Sequence, residues 1–215
     1  MDRDRKTGPG GRLPQCEVQA RLHAVIEVAT ARFLSIGYRE TSLDDIAREA
    51  GVAKKTLYCH FGSKALLFNA ILRLQLQVWL DELRHLVIKG GEPADVLEDA
   101  ALHLLDIGTR EDMTELYRVL LVETRRFPAL ADGLYDQRGR PIGLEPLEDY
   151  LRSAVVDGQL ELDDIELATD QFVQLVLGAA RTAMLLGRAP RPGDDRRRAM
   201  AKQAVRIFLG GCAAP

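Results

Sequence analysis

The sequence predicts an all-helical chain, with a small three-helix N-terminal unit ahead of a larger helical body. Three observations carry this. Apolar residues recur at spacings of three and four over most of the length, strand-like alternation appears nowhere over a useful stretch, and glycines or capping residues punctuate the periodic segments at helix-like intervals. The composition fits: 47% of the 215 residues are hydrophobic and 28% charged, enough apolar matter for a sizeable core under a well-solvated surface.

In chain order, residues 1–14 are polar, charged and rich in Gly and Pro, and read as a flexible basic arm. From Gln15 onward Val18, Leu22, Val25, Ala29 and Phe33 make one helical stripe, which Gly37 ends. Ser42 with Asp45 forms a capping box that opens a short helix burying Leu43, Ile46, Ala47 and Ala50, and Gly51 stops it. A second short helix over Lys54–Phe61 buries Leu57 and Phe61. Gly62 closes it, and Ser63 caps a long helix reaching Ile88, before Gly90 and Gly91. The second half predicts helices at about 93–107, 110–127, 130–138, 143–157, 164–187 and 195–209. Their start signals are Pro93 at a first helical position, Thr109 with Asp112, and Asp163 with Glu166. Their stops are Gly158, Gly187 and Gly210. The expected division is an arm over 1–14, a compact helical unit over 15–64 and a larger helical body over 65–215.

Charge is unevenly spread. Residues 1–64 hold eleven Lys and Arg against eight Asp and Glu, and the remainder eighteen against twenty-four, within an overall net charge of −3. A basic head on an acidic body fits a nucleic-acid-binding module carried by a part that does not bind DNA. Cys16, Cys59 and Cys212 are far apart and odd in number, which suggests neither a disulfide framework nor a zinc site, and suits a reducing cytoplasm. No leader-like apolar segment follows the N-terminal basic residues. No run reaches the roughly 18 apolar residues of a membrane span, because Gln174 and Arg181 interrupt the best stretch. Phosphate-binding glycine loops, GxSxG and HExxH are absent. Glu82 and His85 make a single Glu-x-x-His where a di-iron bundle needs two, so no enzyme activity, metal or cofactor is expected.

The informative stretch is residues 41–64, TSLDDIAREAGVAKKTLYCHFGSK. Two short helices joined by a tight turn containing Gly51 make a helix-turn-helix, whose second helix can enter a major groove about 12 Å wide. Its outward residues are Lys54, Lys55, Thr56, Tyr58 and His60, each able to donate a hydrogen bond to phosphate or a base edge. The alternative on these residues alone is a set of short helices with a solvated charged face.

The same residues resemble the DNA-binding domain of the TetR family of bacterial regulators. The resemblance rests on Thr41-Ser42, Ile46-Ala47, Ala50-Gly51-Val52, Lys54, Thr56-Leu57-Tyr58, His60-Phe61, Ser63-Lys64 and Leu66-Leu67, and it covers about residues 18–72. More loosely, LYRVLLVETRRFPALADGLYDQ and IELATDQFVQLVLG resemble the C-terminal domain of AefR-like members. Two positions depart from the pattern: Ala53 replaces the usual Ser or Thr cap, and Lys55 stands where Gly is common. The resemblance implies that Thr41 and Ser42 meet phosphate at a helix N-terminus, that Lys55 and Thr56 reach base edges, and that Lys54, Tyr58, His60 and Lys64 contact phosphates. Arg3, Arg5 and Arg12 of the arm are candidates for a neighbouring minor groove.

The helix over about 164–187 is apolar nearly all round, so it is expected to cover both its own core and a second copy of the chain. The resemblance likewise implies a four-helix dimer interface. The residues expected there are Leu147, Leu151, Val155, Phe172, Leu175, Val176, Ala179 and Ala183. The resemblance also implies a small-molecule pocket, with Trp79, Leu83, Leu102, His103, Leu105, Tyr117, Leu120, Glu123, Thr124 and Phe127 as candidate lining. The expected function is a cytoplasmic, homodimeric transcriptional repressor, released from a pseudo-palindromic double-stranded operator by a small apolar or amphipathic effector. The alternative is a helical small-molecule-binding protein or enzyme that has lost DNA binding. Salt-dependent retention on specific DNA separates the two.

Overall fold

A computed structural model describes residues 15–89 and 91–212. The arm lies outside them, as do the side chains of Cys16, Trp79 and Cys212. The described residues form α1 (Gln15–Ser35), α2 (Leu43–Glu49), α3 (Lys54–Phe61), α4 (Lys64–Lys89), α5 (Pro93–Gly108), α6 (Glu111–Glu123), a 3-10 turn (Pro128–Gly133), α7 (Glu145–Val156), α8 (Ile165–Leu185) and α9 (Asp194–Cys212). No β-strand occurs among them, only an isolated bridge between Tyr135 and Pro141.

Local chemistry explains the head. Ser42 is extended, its Oγ accepting from the Asp45 amide at 3.1 Å and donating to the Asp45 carboxylate at 2.7 Å. Such a cap stabilises a short helix by about 1 kcal/mol. Gly51 and Gly62 adopt φ of +65° and +72°, a left-handed backbone that lets the chain turn sharply after α2 and α3. Beneath these helices Val25, Ala29, Phe33, Ile46 and Leu57 form a closed core. Phe33, Tyr38 and Phe68 pack edge-on or tilted with centroids 5.4–5.7 Å apart, and Phe127 joins Tyr38 at 5.3 Å. This aromatic cluster is where head and body meet, because Phe127 belongs to the segment after α6.

The body is arranged around α5. Its Leu97, Ala100, Ala101 and Leu105 are fully buried, and it packs against α9, α4 and α8. Arg140 fastens α7 to α8 by reaching Glu148 at 2.7 Å, Asp170 at 3.1 Å and Glu166 at 3.1 Å. None of the described helices is long and apolar enough to cross a membrane.

Several local expectations need correction. The helix expected over 130–138 is replaced by the 3-10 turn and a reverse loop. There the Asp136 carboxylate accepts from the amides of Arg138 and Arg140, and Gly139 turns at φ +77°. The helix expected over 110–127 ends at Glu123, and Phe127 has left helical space at φ −125°, ψ 74°. Thr109 is fully buried and donates to the Leu105 carbonyl, so it closes α5 instead of capping α6. The cap of α8 is Asp164, one residue later than expected, with its carboxylate accepting from the Leu167 amide. Gly210 lies inside α9.

Candidate nucleic-acid interface and effector cavity

The helix α3 presents one continuous outward row. Lys54, Lys55, Thr56, Tyr58, Cys59 and His60 are exposed, whereas Leu57 is 1% exposed and pins the helix to the head. Ala53 supplies no side-chain cap, leaving the first turn held only by its backbone carbonyl. Lys54 pairs with Asp44 of α2 at 2.6 Å, and that bond holds its ammonium above the usual lysine pKa. Arg32 of α1 reaches Glu49 at 3.2 Å and Asp45 at 3.8 Å, so the acids of α2 are partly neutralised from behind. Lys55, Thr56 and His60 have no such partner among the described residues.

Three residues expected at phosphates are engaged elsewhere. Thr41 is 1% exposed and donates its hydroxyl to the Gly37 carbonyl at 2.8 Å. Ser42 spends its hydroxyl on the cap described above. The Lys64 ammonium donates to the carbonyls of Tyr38 (2.6 Å), Arg39 (3.2 Å) and Thr41 (2.8 Å), and lies 4.4 Å from the Tyr38 ring centroid. A lysine has three protons to donate, and all three are used. Burial pulls its pKa down, with the charges of Glu123 and Glu40 opposing. Lys64 is therefore a clamp that ties the 37–41 turn to the start of α4. Burial and the Glu123 charge push the neighbouring Tyr38 hydroxyl up to about 12. The signal that could have found this clamp is the Gly-Tyr-Arg-Glu-Thr turn itself, whose carbonyls need donors that α1 and α2 cannot supply.

Behind the head lies a cavity of about 100 Å³. Its wall comes from α4 (Leu76), α5 (Leu104, Ile107, Gly108), α6 (Met113, Thr114, Tyr117), the loop 134–144, and α8 (Val173, Leu177, Arg181). The hydroxyls of Tyr117 and Tyr135 meet at 2.6 Å, and the Arg181 guanidinium lies 4.8 Å from the Tyr117 ring centroid. Burial, then the bond to Tyr117, pushes the Tyr135 hydroxyl well above the usual tyrosine range.

Of the expected lining residues whose side chains are described, only Tyr117 is in this wall. Leu83, Leu105 and Leu120 are buried in the packed core. Leu102 and His103 face a shallow charged depression with Asp106 and Arg197, where His103 sits 3.4 Å from Glu82. Thr124 donates to the Leu120 carbonyl, and Glu123 and Phe127 lie at the head–body junction beside Lys64 and Tyr38. Trp79 falls outside the described side chains. The expected residues lie on α4, α5, α6 and the segment just after it, whereas this wall also draws on α8 and the loop 134–144. The wall contributed by α8 and by the loop 134–144 was invisible, because both come from distant sequence.

The expected dimer face also divides. Leu147, Leu151 and Phe172 are 0% exposed and Val176 1%, all within the chain's own core, so none is free to meet a second copy. Val155 is half-buried beside them. Leu175 and Ala179 are exposed and Ala183 is half-buried. With Met200 and Ile207 of α9 these three line an open, largely apolar groove. The open apolar groove is built from α8 and α9, because most of the stripe of α7 is spent on α4 and α8, although Val156 of α7 and Leu121 and Val122 of α6 are exposed as well.

Comparisons with known proteins agree with this architecture. A family model described as "AefR-like transcriptional repressor, C-terminal domain" matches residues 95–212, and one described as "Bacterial regulatory proteins, tetR family" matches residues 25–71. The repressor KstR2 of Rhodococcus jostii is 29% identical over 197 residues, spanning 89% of this chain and 90% of that protein. The regulator AcrR of Shigella flexneri is 33% identical over 108 residues, 50% of this chain and 48% of its own length, so this match spans about half of that relative. Among solved structures, a TetR-family regulator from Mesorhizobium loti superposes with a TM-score of 0.78 at 23% identity, covering 91% of this chain and 98% of the other, and shows the shared fold. The flavonoid-responsive regulator FrrA has a TM-score of 0.71 at 28% identity, with coverage of 91% and 98%. With its helix-turn-helix head and its AefR-like body, the chain belongs to the TetR family of bacterial transcriptional regulators.

Proposed function

We propose that the protein is a cytoplasmic, homodimeric transcriptional repressor that holds a pseudo-palindromic operator and releases it when a small molecule enters the body cavity. The observation that carries this reading is the joining of two sites by one helix. The first residue of α4, Lys64, clamps the head, and further along the same helix Leu76 lines the cavity. Lys55 and Thr56 serve as base readers, with Lys54, Tyr58 and His60 on the phosphates. Two copies join through the α8–α9 groove, as a two-fold operator requires.

The transmission route supports the same reading. The 3-10 turn before Tyr135 is riveted to α4: the Asn69 amide donates to the Ala129 carbonyl at 2.8 Å, and Arg73 donates to the Asp132 carbonyl at 2.9 Å. At Gly133 the two segments approach so closely that a Cβ would lie 2.9 Å from Leu72 and from the Asn69 side chain. A ligand that displaces the Tyr117–Tyr135 pair therefore pushes on α4, and α4 moves the head. Two heads bound to a fixed groove spacing tolerate little tilt, and a tenfold loss of DNA affinity needs only about 1.4 kcal/mol of coupling. FrrA is flavonoid-responsive by name, which favours a small organic effector for this chain too.

The test is selection of bound duplexes from random DNA, with affinity then measured across a salt series. A recovered two-fold motif, bound more tightly than scrambled DNA, is the expected result. Equal binding of all duplexes would overturn the reading.

A further inference from the structure

Among the described residues lining the cavity, Arg181 is the single charged one. Its guanidinium carries five N–H donors. It faces the ring of Tyr117 and has no hydrogen bond or ion pair with any described residue. Arg125, Arg188 and Arg196 also lack such partners but are exposed to water, whereas three other arginines of the body are paired. Arg140 meets three carboxylates, Arg118 reaches Glu115 and the carbonyls at the end of α8, and Arg110 reaches Asp112 and Gln75. Arg181 is half-buried, and a guanidinium with unused donors in a largely apolar wall favours an anion beside it. The Tyr117–Tyr135 bond uses one of its two hydroxyl protons and leaves the other free to donate into the cavity. Thr114 cannot compete for that role, because its hydroxyl already donates to the Arg110 carbonyl.

We infer that the effector is a small carboxylic acid. Its carboxylate pairs with Arg181 and accepts from the tyrosine pair, and its apolar body lies among Leu104, Met113 and Leu177. One cation matches a monoanion. A phosphate dianion would ask for more donors than this wall holds. The size also argues for a small body: the cavity of about 100 Å³ is smaller than the roughly 150 Å³ apolar cavity that holds benzene, so a single ring or short chain enters only as the cavity widens. The inference rests on the reading of the cavity as the effector site, and it names what that site selects.

The experiment is calorimetric titration of the full-length protein with phenylacetate and octanoate, each against its neutral amide, in wild type and Arg181→Met. At least one acid is expected to bind wild type tenfold or more tightly than its amide. The variant is expected to lose that preference and to bind acid and amide alike. A thermal melt of each variant reports folding, and the comparison of acid with amide on wild type needs no variant at all. Amides that bind as tightly as the acids, or no binding of either acid at millimolar concentration, would overturn the inference. The regulatory reading fails separately: an acid that binds but leaves the DNA complex intact refutes release while keeping the anion site. An amide that binds and releases DNA refutes the anion site while keeping release.

Discussion

The recognition helix and the cavity wall are built on opposite plans. The functional row of α3 is exposed, carried on eight consecutive residues, and held by signals within a few positions: the Ser42 cap, the turns at Gly51 and Gly62, and the Leu57 anchor. The cavity wall gathers one to three residues from each of several helices separated by up to a hundred positions, and its polar groups meet only across the fold. A rigid local reader suits a fixed surface such as a DNA groove. A wall assembled from several elements can change shape when one of them shifts, as an effector site must. The Lys64 clamp and the Asn69 and Arg73 rivets lie between the two and belong to both.

Substitutions test this division. Ala179→Arg adds a second cation beside Arg196 in the otherwise apolar α8–α9 groove, at a cost of about 3 kcal/mol or more where a dimer buries it unpaired. Sedimentation should show a soluble monomer that no longer grips a two-fold duplex, and an unaltered dimer would refute the groove as interface. Lys64→Met removes three hydrogen bonds from the head and should lower stability by about 2 kcal/mol, read as a drop in melting temperature of several degrees. If Lys64 were instead a phosphate ligand, the melt would stay put and only the salt dependence of DNA binding would fall. Lys55→Ala should do the converse, leaving the melt unchanged while costing about 1–3 kcal/mol at one base position. Tyr135→Phe removes one hydroxyl from the cavity pair, a loss of about 1 kcal/mol. It should alter effector release more than basal DNA affinity, and an unchanged release curve would sever the proposed route.

The smallest effect concerns acid. Bonding to Ser42, with help from Arg48 and Arg32, holds the half-buried Asp45 carboxyl below its usual pKa. A group depressed in the folded state adds stability above its unfolded pKa and loses it as the pH falls through the folded value. Asp45→Asn should therefore flatten the acid limb of a pH–stability profile slightly. An unchanged limb would mean that the Ser42 hydroxyl alone caps α2.

Much was legible from residues 41–64, because helix caps, glycine turns and the spacing of Leu57 from Phe61 act over a turn or two of helix. Those interactions place the exposed row of α3 before any distant contact forms. Even there, the sequence pointed Thr41 and Lys64 at DNA, and contacts across the turn took them inward. In the body, periodicity could mark α8 as apolar all round, yet it could not say which apolar residues face the chain's own core. Phe172 and Val176 pack against α5, α7 and α9, whereas Leu175 and Ala179 are left to solvent, and only the packing of three neighbouring helices makes that choice. The pairing of Tyr117 with Tyr135, and the arrival of Arg181 beside them, are likewise products of long-range closure. Local sequence determines which way a short helix starts, stops and faces. Which side chains share a cavity depends on how whole helices exclude water against one another, and no window of a few residues contains that information.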